Sequence, residues 1–268
     1  MNRIDAAFEK ARSENRSALI PFITCGDPDL EATLELVPEL ERAGADLVEI
    51  GFAHSDPIAE GPTIQAASTR ALRHGTRLED VLETVERLRQ VTQVPLILMG
   101  YLNNVLSYDA ETLVHAAADR GTDGLIVVDA PYEEAPELQA ACEAKGLHRI
   151  LLVAPTSTPE RMIQVAKRSA GFIYCVSTTG VTGERRELPA DLHVLIQRIQ
   201  RVSTTPVGVG FGISTPEHAR QVASIADAVV VGSALVRRIG AARSRSEAIE
   251  SSVSFVSELS EAVRSARD

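Results

Sequence analysis

DLVEIGF, residues 46–52, opens on Asp46 and continues as an apolar run interrupted by one further acid, Glu49, and AHSDPIAEGPTIQ, residues 53–65, follows it. A run this apolar on consecutive positions reads as a parallel strand covered on both faces; a half-exposed antiparallel strand would alternate. The segment after it is far longer than a simple strand-to-helix turn, and loops of that length usually carry function. The same rhythm recurs along the chain in ALIPFIT (18–24), VPLILMG (94–100), DGLIVVD (123–129), HRILLVA (148–154), GFIYCVS (171–177), TPVGVGFG (205–212) and DAVVVGS (227–233), with helical patterns between them. Eight strand–helix units predict an α/β fold, a single (β/α)8 barrel spanning residues 1–268. A doubly wound sheet is the alternative that the pattern leaves open.

Ile4, Ala7, Phe8 and Ala11 fall at helical spacing, which predicts an extra N-terminal helix covering one barrel end. Asp29 in the turn cluster CGDPD is placed to cap a helix running to about residue 43. Thr158 with Pro159, Pro189, and Thr215 with Pro216 punctuate further helix starts. Ile249, Val253, Val256, Leu259 and Val263 predict a closing helix within residues 241–268.

The chain carries 27 basic and 37 acidic side chains, a net charge of −10, spread along its length. That balance argues against nucleic-acid or anionic-membrane binding but leaves room for a small anion held by backbone N–H groups. There is no Trp, and aromatic residues make up 4%, too few for a base-stacking platform. The opening MNRIDAAFEKARSENR is too charged for a signal peptide, and no apolar run reaches the roughly 18 residues of a membrane span. Cys25, Cys142 and Cys175 show neither metal-ligand spacing nor an even count, so a reducing cytoplasm fits. The histidines show no paired ligand spacing, and no metal is expected.

Reactive residues of such barrels sit at the carboxyl ends of the strands. Glu49 is therefore the first candidate: a carboxylate in an apolar strand is costly unless paired, hydrogen-bonded or neutral, and an acid/base with a raised pKa meets that cost by being neutral. A structural carboxyl is the plainer reading. Glu60 lies on the loop folding over the same mouth, and two carboxyls there can divide proton transfers. His54 and Asp56 share that loop, where a solvated imidazole and plain turn chemistry are the simpler readings. STTGVTGERRELP (177–189), GVGFGIS (208–214) and VVGSALV (230–236) form a glycine-rich second constellation suited to phosphate, the last opening a helix. GVGFG lacks the ribose-binding acid of a dinucleotide fingerprint, so no nicotinamide cofactor is expected.

PFITCGDPD, EIGFAHSDPIAEGPTIQ, LMGYLNN, VVDAPYEE, STTGVTGERR, VGFGIS and VVGSALV together resemble the tryptophan synthase alpha subunit family, in order and spacing over almost the whole chain. The resemblance implies a lyase of tryptophan biosynthesis that splits indole-3-glycerol phosphate into indole and glyceraldehyde 3-phosphate. It implies Glu49 as the acid and base for indole C3 and the adjacent hydroxyl, Glu60 as the carboxylate steadying the indole N–H, and Tyr174 beside Glu49. Phe22 and Leu98 or Gly100 would border the ring; Gly183, Gly212, Gly232 and Ser233 would face the phosphate, and Thr182 would bond the loop carboxylate. It further implies a beta subunit partner in an αββα assembly, with pyridoxal phosphate only in that partner and no cofactor in this chain. Ala53, His54 and Asp56 would lie at that interface.

This sequence departs from the family pattern at several positions. Glu60 stands where Asp is common, Ala53 and His54 where Pro and an aromatic residue are usual, and Phe172 where Tyr is common. These changes bear on the loop that meets the partner, so a stand-alone lyase and a weak barrel that mainly activates a beta subunit are the alternatives. A phosphosugar isomerase on the same scaffold would need no indole pocket.

Overall fold

A computed structural model describes residues 1–176, 191–210 and 212–267. Strands form where the apolar runs stand: β1 (Ala18–Thr24), β2 (Val48–Gly51), β3 (Leu96–Gly100), β4 (Gly124–Val127), β5 (His148–Arg149 continued by Leu151–Val153), β6 (Ile173–Val176), β7 (Val207–Gly210) and β8 (Ala228–Val231). All neighbours are parallel, and β1 pairs with both β2 and β8. The first part of β5 pairs with β4 and the second with β6, so this interrupted strand closes the ring. Ile150, between the two parts, donates its N–H to the Leu125 carbonyl at 3.0 Å. Closure of the ring excludes the doubly wound sheet.

The order of helices follows the strands. α1 (Arg3–Ser13) precedes β1 and α2 (Leu30–Arg42) follows it; α3 (Pro62–Arg73) and α4 (Leu78–Leu88) follow β2; α5 (Leu102–Tyr108) and α6 (Ala110–Asp119) follow β3. α7 (Pro136–Lys145), α8 (Pro159–Arg168), α9 (Leu192–Gln200) and α10 (Pro216–Ala223) follow β4 to β7 in turn, and α11 (Ser233–Ala241) and α12 (Arg245–Arg264) complete the described elements with a short 3-10 turn. The expected caps form: Asp29 accepts the Ala32 N–H at 2.7 Å, and Thr158 and Thr215 cap α8 and α10. Pro189 lies outside the described residues.

Strand pleating sorts the core into two layers. Leu19, Ile23, Val48, Ile50, Leu96 and Leu98 pack outward against the helices, whereas Ile20, Phe22, Ile97, Met99, Ile126 and Tyr174 fill the barrel interior. Ile4, Phe8 and Ala11 of α1 join the inner cluster, and the Phe8 and Phe172 rings meet at 5.6 Å between centroids. The N-terminal helix therefore plugs the floor of the barrel.

Three aspartates close that floor in the same manner. Each sits just ahead of one strand and accepts an N–H from the start of the strand before it: Asp46 from Leu19 (2.9 Å), Asp123 from Leu96 (2.9 Å) and Asp227 from Val207 (2.8 Å). Asp46 also takes both ends of the Arg16 guanidinium, at 2.7 and 2.8 Å, and Asp123 is paired with Arg3 and Arg89. Removing Asp46 takes both of these bonds from buried Arg16, which keeps the Glu14 carboxylate at 2.6 Å, and leaves the Leu19 N–H without its acceptor. Asp46→Ala is expected to lower unfolding stability by about 3 kcal/mol, read from the urea midpoint; a loss below about 1 kcal/mol would show the pair to be ornamental.

Candidate active site

β1 and β2 are in register with Phe22 opposite Glu49, and both side chains point into the barrel near its carboxyl-terminal mouth. There they line a cavity of about 480 Å³ together with Glu60, Ile64, Met99, Tyr174, Gly212, Ile213, Val230, Gly232 and Ser233. Most of this wall is apolar. The two carboxyls are its acids, one from a strand and one from the loop before α3.

Glu49 is 0% exposed, and neither carboxyl oxygen has a hydrogen-bond partner among the described residues. A carboxylate in such a place would forfeit its hydration with nothing in return. Burial accordingly pushes its pKa up to about 8, and the charge of Glu60 pushes the same way. At neutral pH Glu49 is therefore chiefly the neutral carboxylic acid. Tyr174, on β6, is buried beside it and its hydroxyl is held well above the usual phenol range, first by burial and then by the two carboxyls.

Glu60 is also buried, and its backbone is fixed at both ends: its N–H donates to the Pro57 carbonyl at 2.9 Å, and its carbonyl accepts from Gln65 Nε2 at 2.8 Å. Beyond it lies a second chamber of about 290 Å³, lined by Phe22, Glu60, Ile64 and Met99 in common with the first and by Thr24, Ser68, Gly100 and Tyr101.

The far wall is the start of α11. Gly232 and Ser233 line the cavity, Gly232 is the N-cap, and no side chain caps the helix. The leading N–H groups of such a helix have no intrahelical acceptor and favour an anion. Gly212, with φ of +81°, turns the chain beside them in a conformation that disfavours any side chain. The β7 glycines do something else. A Cβ on Gly210 would collide with the Tyr174 hydroxyl, and one on Gly208 with the Phe172 ring. Part of the run read as anion-binding is thus room for aromatic rings.

Glu49, Glu60, Phe22, Tyr174, Gly212, Gly232 and Ser233 are therefore brought together. Thr182 and Gly183 lie outside the described residues. Leu98 faces the helices, because pleating turns its neighbour Met99 inward instead; Gly100 borders the second chamber. Sequence reasoning also missed Ile64, Ile213 and Val230; counting alternate residues from Phe22 and Glu49 across the register would have found Met99. Among the described residues no cluster of His, Cys, Asp and Glu is arranged to hold a metal, and no helix is long and apolar enough to cross a membrane.

The family model for the tryptophan synthase alpha chain matches residues 8–264. The chain belongs to the tryptophan synthase alpha chain family. Relatives of that name include one from Geobacter sp. (strain M21), 52% identical over 88% of this chain and 89% of its own length. Another, from Caulobacter vibrioides, is 47% identical over 99% of this chain and 98% of its own length. The crystal structure of tryptophan synthase subunit alpha from Legionella pneumophila superposes with a TM-score of 0.91 at 39% identity, covering 98% of both chains. A Mycobacterium tuberculosis tryptophan synthase structure gives 0.90 at 38% identity, with 98% of both chains covered.

Within this family member, the loop of residues 53–61 is held in place by a ring contact and a hydrogen bond. The His54 ring stacks on Tyr101, 4.8 Å between centroids and 23° apart, and the Tyr101 hydroxyl accepts the Ala59 N–H at 3.1 Å. Ala53 and His54 are half-buried, Asp56 is exposed, and Ile58 is 68% exposed at the mouth.

The raised pKa of Glu49 makes stability depend on pH with a definite sign. Because the folded state holds the proton more tightly than the unfolded chain, stability is fully present below pH about 4.5, declines above it, and levels off beyond about 8. Glu49→Gln removes that linkage. The variant is expected to match the wild type near pH 4 and to exceed it by up to about 3 kcal/mol at pH 7, measured by denaturant unfolding at both pH values; equal stabilities at pH 7 would contradict an unpaired buried carboxyl.

Proposed function

We propose that this chain cleaves indole-3-glycerol phosphate to indole and glyceraldehyde 3-phosphate in tryptophan biosynthesis, with Glu49 as its acid and base. Membership of the alpha chain family supports the reaction, and the observation that carries the residue assignment is a neutral, unbonded carboxyl facing an apolar cavity opposite a second acid.

The chemistry follows from the protonation states. The Glu49 carboxyl gives its proton to indole C3, and the ring becomes a cation with its charge on nitrogen. The Glu60 carboxylate accepts the hydrogen bond from that N–H, an interaction that strengthens as the charge develops and so favours the transition state over the ground state. Glu49, now a carboxylate, takes the proton of the side-chain hydroxyl on the carbon attached to C3. The carbon–carbon bond breaks, its electrons return to the ring, and the hydroxyl carbon becomes the aldehyde. Glu49 ends protonated, so the cycle consumes no net proton. Phe22, Met99 and Tyr174 shape an apolar slot for the indole, and the N–H groups at Gly232 and Ser233 with the turn at Gly212 hold the phosphate. By family pattern Gly183 belongs with that anion site, and Thr182 bonds the loop carboxylate.

The partner is a tryptophan synthase beta subunit in an αββα assembly, docked over the barrel mouth at the loop bearing Ala53, His54 and Asp56. Pyridoxal phosphate belongs to that partner; acid–base groups suffice for the reaction of this chain, which works in the cytoplasm.

Indole release from indole-3-glycerol phosphate by the purified chain, alone and with a beta subunit added, tests the reading. Slow release that rises sharply with the partner is expected, with kcat/KM falling as pH climbs through about 8 and Glu49 loses its proton in the free enzyme. Glu49→Gln should lower kcat by about 10³-fold while leaving phosphate binding intact. No indole under either condition, or near-normal turnover by the Gln variant, would refute it.

A further inference from the structure

The helices that start on either side of the substrate cavity meet again at one guanidinium. α3 opens at Pro62 behind Gly61, just past Glu60, and places Ile64 on the cavity; α11 opens at Ser233 behind Gly232 on the far wall. Arg70 stands about two turns into α3, and Gly240 about two turns into α11. A Cβ added to Gly240 would fall 2.6 Å from Arg70 Nη2 and 2.9 Å from its Cζ, so the flat guanidinium lies directly against the α11 backbone. The end of a long side chain can ordinarily step aside. This one is held: its Nε and Nη2 donate to the two carboxyl oxygens of Asp27 at 2.7 and 2.8 Å, and Asp27, in the loop after β1, is 3% exposed. Burial pushes the Asp27 carboxyl up and the guanidinium pulls it back, so each group holds the other in its charged form. The two-pronged bond fixes the plane of the guanidinium as well as its position.

We propose that Arg70 is a positioning residue that sets the length of the substrate site: by bracing α11 against α3 and the β1 loop, it fixes how far the phosphate-facing start of α11 stands from Glu60. This rests on the reading of Glu60 and the start of α11 as the anchors for the indole N–H and the phosphate. The lever is long enough to matter. Over the two turns from brace to helix start, a tilt of about 5° moves that start by about 1 Å, and misplacement by about 1 Å can cost two orders of magnitude in rate. A substrate tied at both ends feels the displacement, whereas a ligand tied at one end does not.

Arg70→Lys and Gly240→Ala disturb the brace from opposite sides. The first leaves a slender ammonium that cannot take both Asp27 oxygens or fill the space at Gly240; the second wedges a methyl group against the guanidinium. Binding to the full chain is measured by calorimetry with indole-3-propanol phosphate, which has both ends and no hydroxyl to react, and with glycerol 3-phosphate, which has only the phosphate end. Each variant is expected to raise Kd at least about tenfold for the two-ended ligand and less than about twofold for the one-ended ligand, and to lower kcat/KM at least about tenfold in assays with the beta subunit. The double variant should lose less than the product of the two single losses, because the ammonium leaves room for the methyl group. Unchanged binding of the two-ended ligand would overturn the proposal, as would equal weakening of both ligands, which is what general damage to the fold produces. Should one variant fail to fold, the other decides by the same comparison. A wild-type chain that releases no indole would refute the functional reading instead, and the crystal structure of the Gly240→Ala variant would then decide Arg70: α11 tilted away from α3 supports the brace, and an unmoved helix overturns it.

Discussion

One carboxyl group inside an apolar barrel sets the terms for the rest of the site. Glu49 occupies a position on β2 where every other strand residue is apolar or glycine, and no described side chain or backbone group bonds its oxygens. Folding tolerates it only because it enters as the neutral acid. That same neutrality makes it a proton donor at physiological pH, so the cost to stability and the capacity for chemistry have a single origin. A structural salt bridge at this position would remove both.

The scaffold's contribution is to keep the carboxyl dry and aimed. The ring of parallel strands fixes Glu49 laterally through its register with Phe22 and Ile97, and α1 seals the opposite end with Phe8. The floor aspartates tie strand starts to one another, leaving the carboxyl ends to carry loops. On one side α3 begins two residues after Glu60, and on the other α11 begins at Ser233, behind its N-cap Gly232. Arg70 of α3 joins these regions: it grips Asp27 of the β1 loop at 2.7 and 2.8 Å, and its guanidinium lies where a Cβ on Gly240 of α11 would fall. The second acid and the helix start offered to phosphate are thus braced against a common post.

The strands were legible because a parallel strand buried on both faces writes itself as a short continuous apolar run, and each of those runs holds a strand. Glu49 was legible for the same reason, as an acid set inside such a run with apolar neighbours on both sides. What the sequence hid depended on geometry between distant residues. Offering Leu98 or Gly100 for the ring pocket overlooked Met99, because which pleat face β3 presents is fixed only by pairing with β2. The β7 glycines look like an anion loop in one dimension, yet Gly208 and Gly210 answer to rings on β6. The interruption of β5 at Ile150 leaves no mark in a single sequence. Family resemblance supplied the phosphate and partner assignments, which composition and spacing alone left as classes.

The protonation state of Glu49 is the hinge of this account, and it can be measured without substrate. Titrating the Glu49 carboxyl by 13C NMR in selectively labelled protein, with Glu49→Gln to assign the resonance, should give a midpoint near 8. A midpoint near the ordinary glutamate value of about 4.5 would mean that the group is ionised at neutral pH and solvated or paired, and the acid–base cycle drawn from its burial would be wrong.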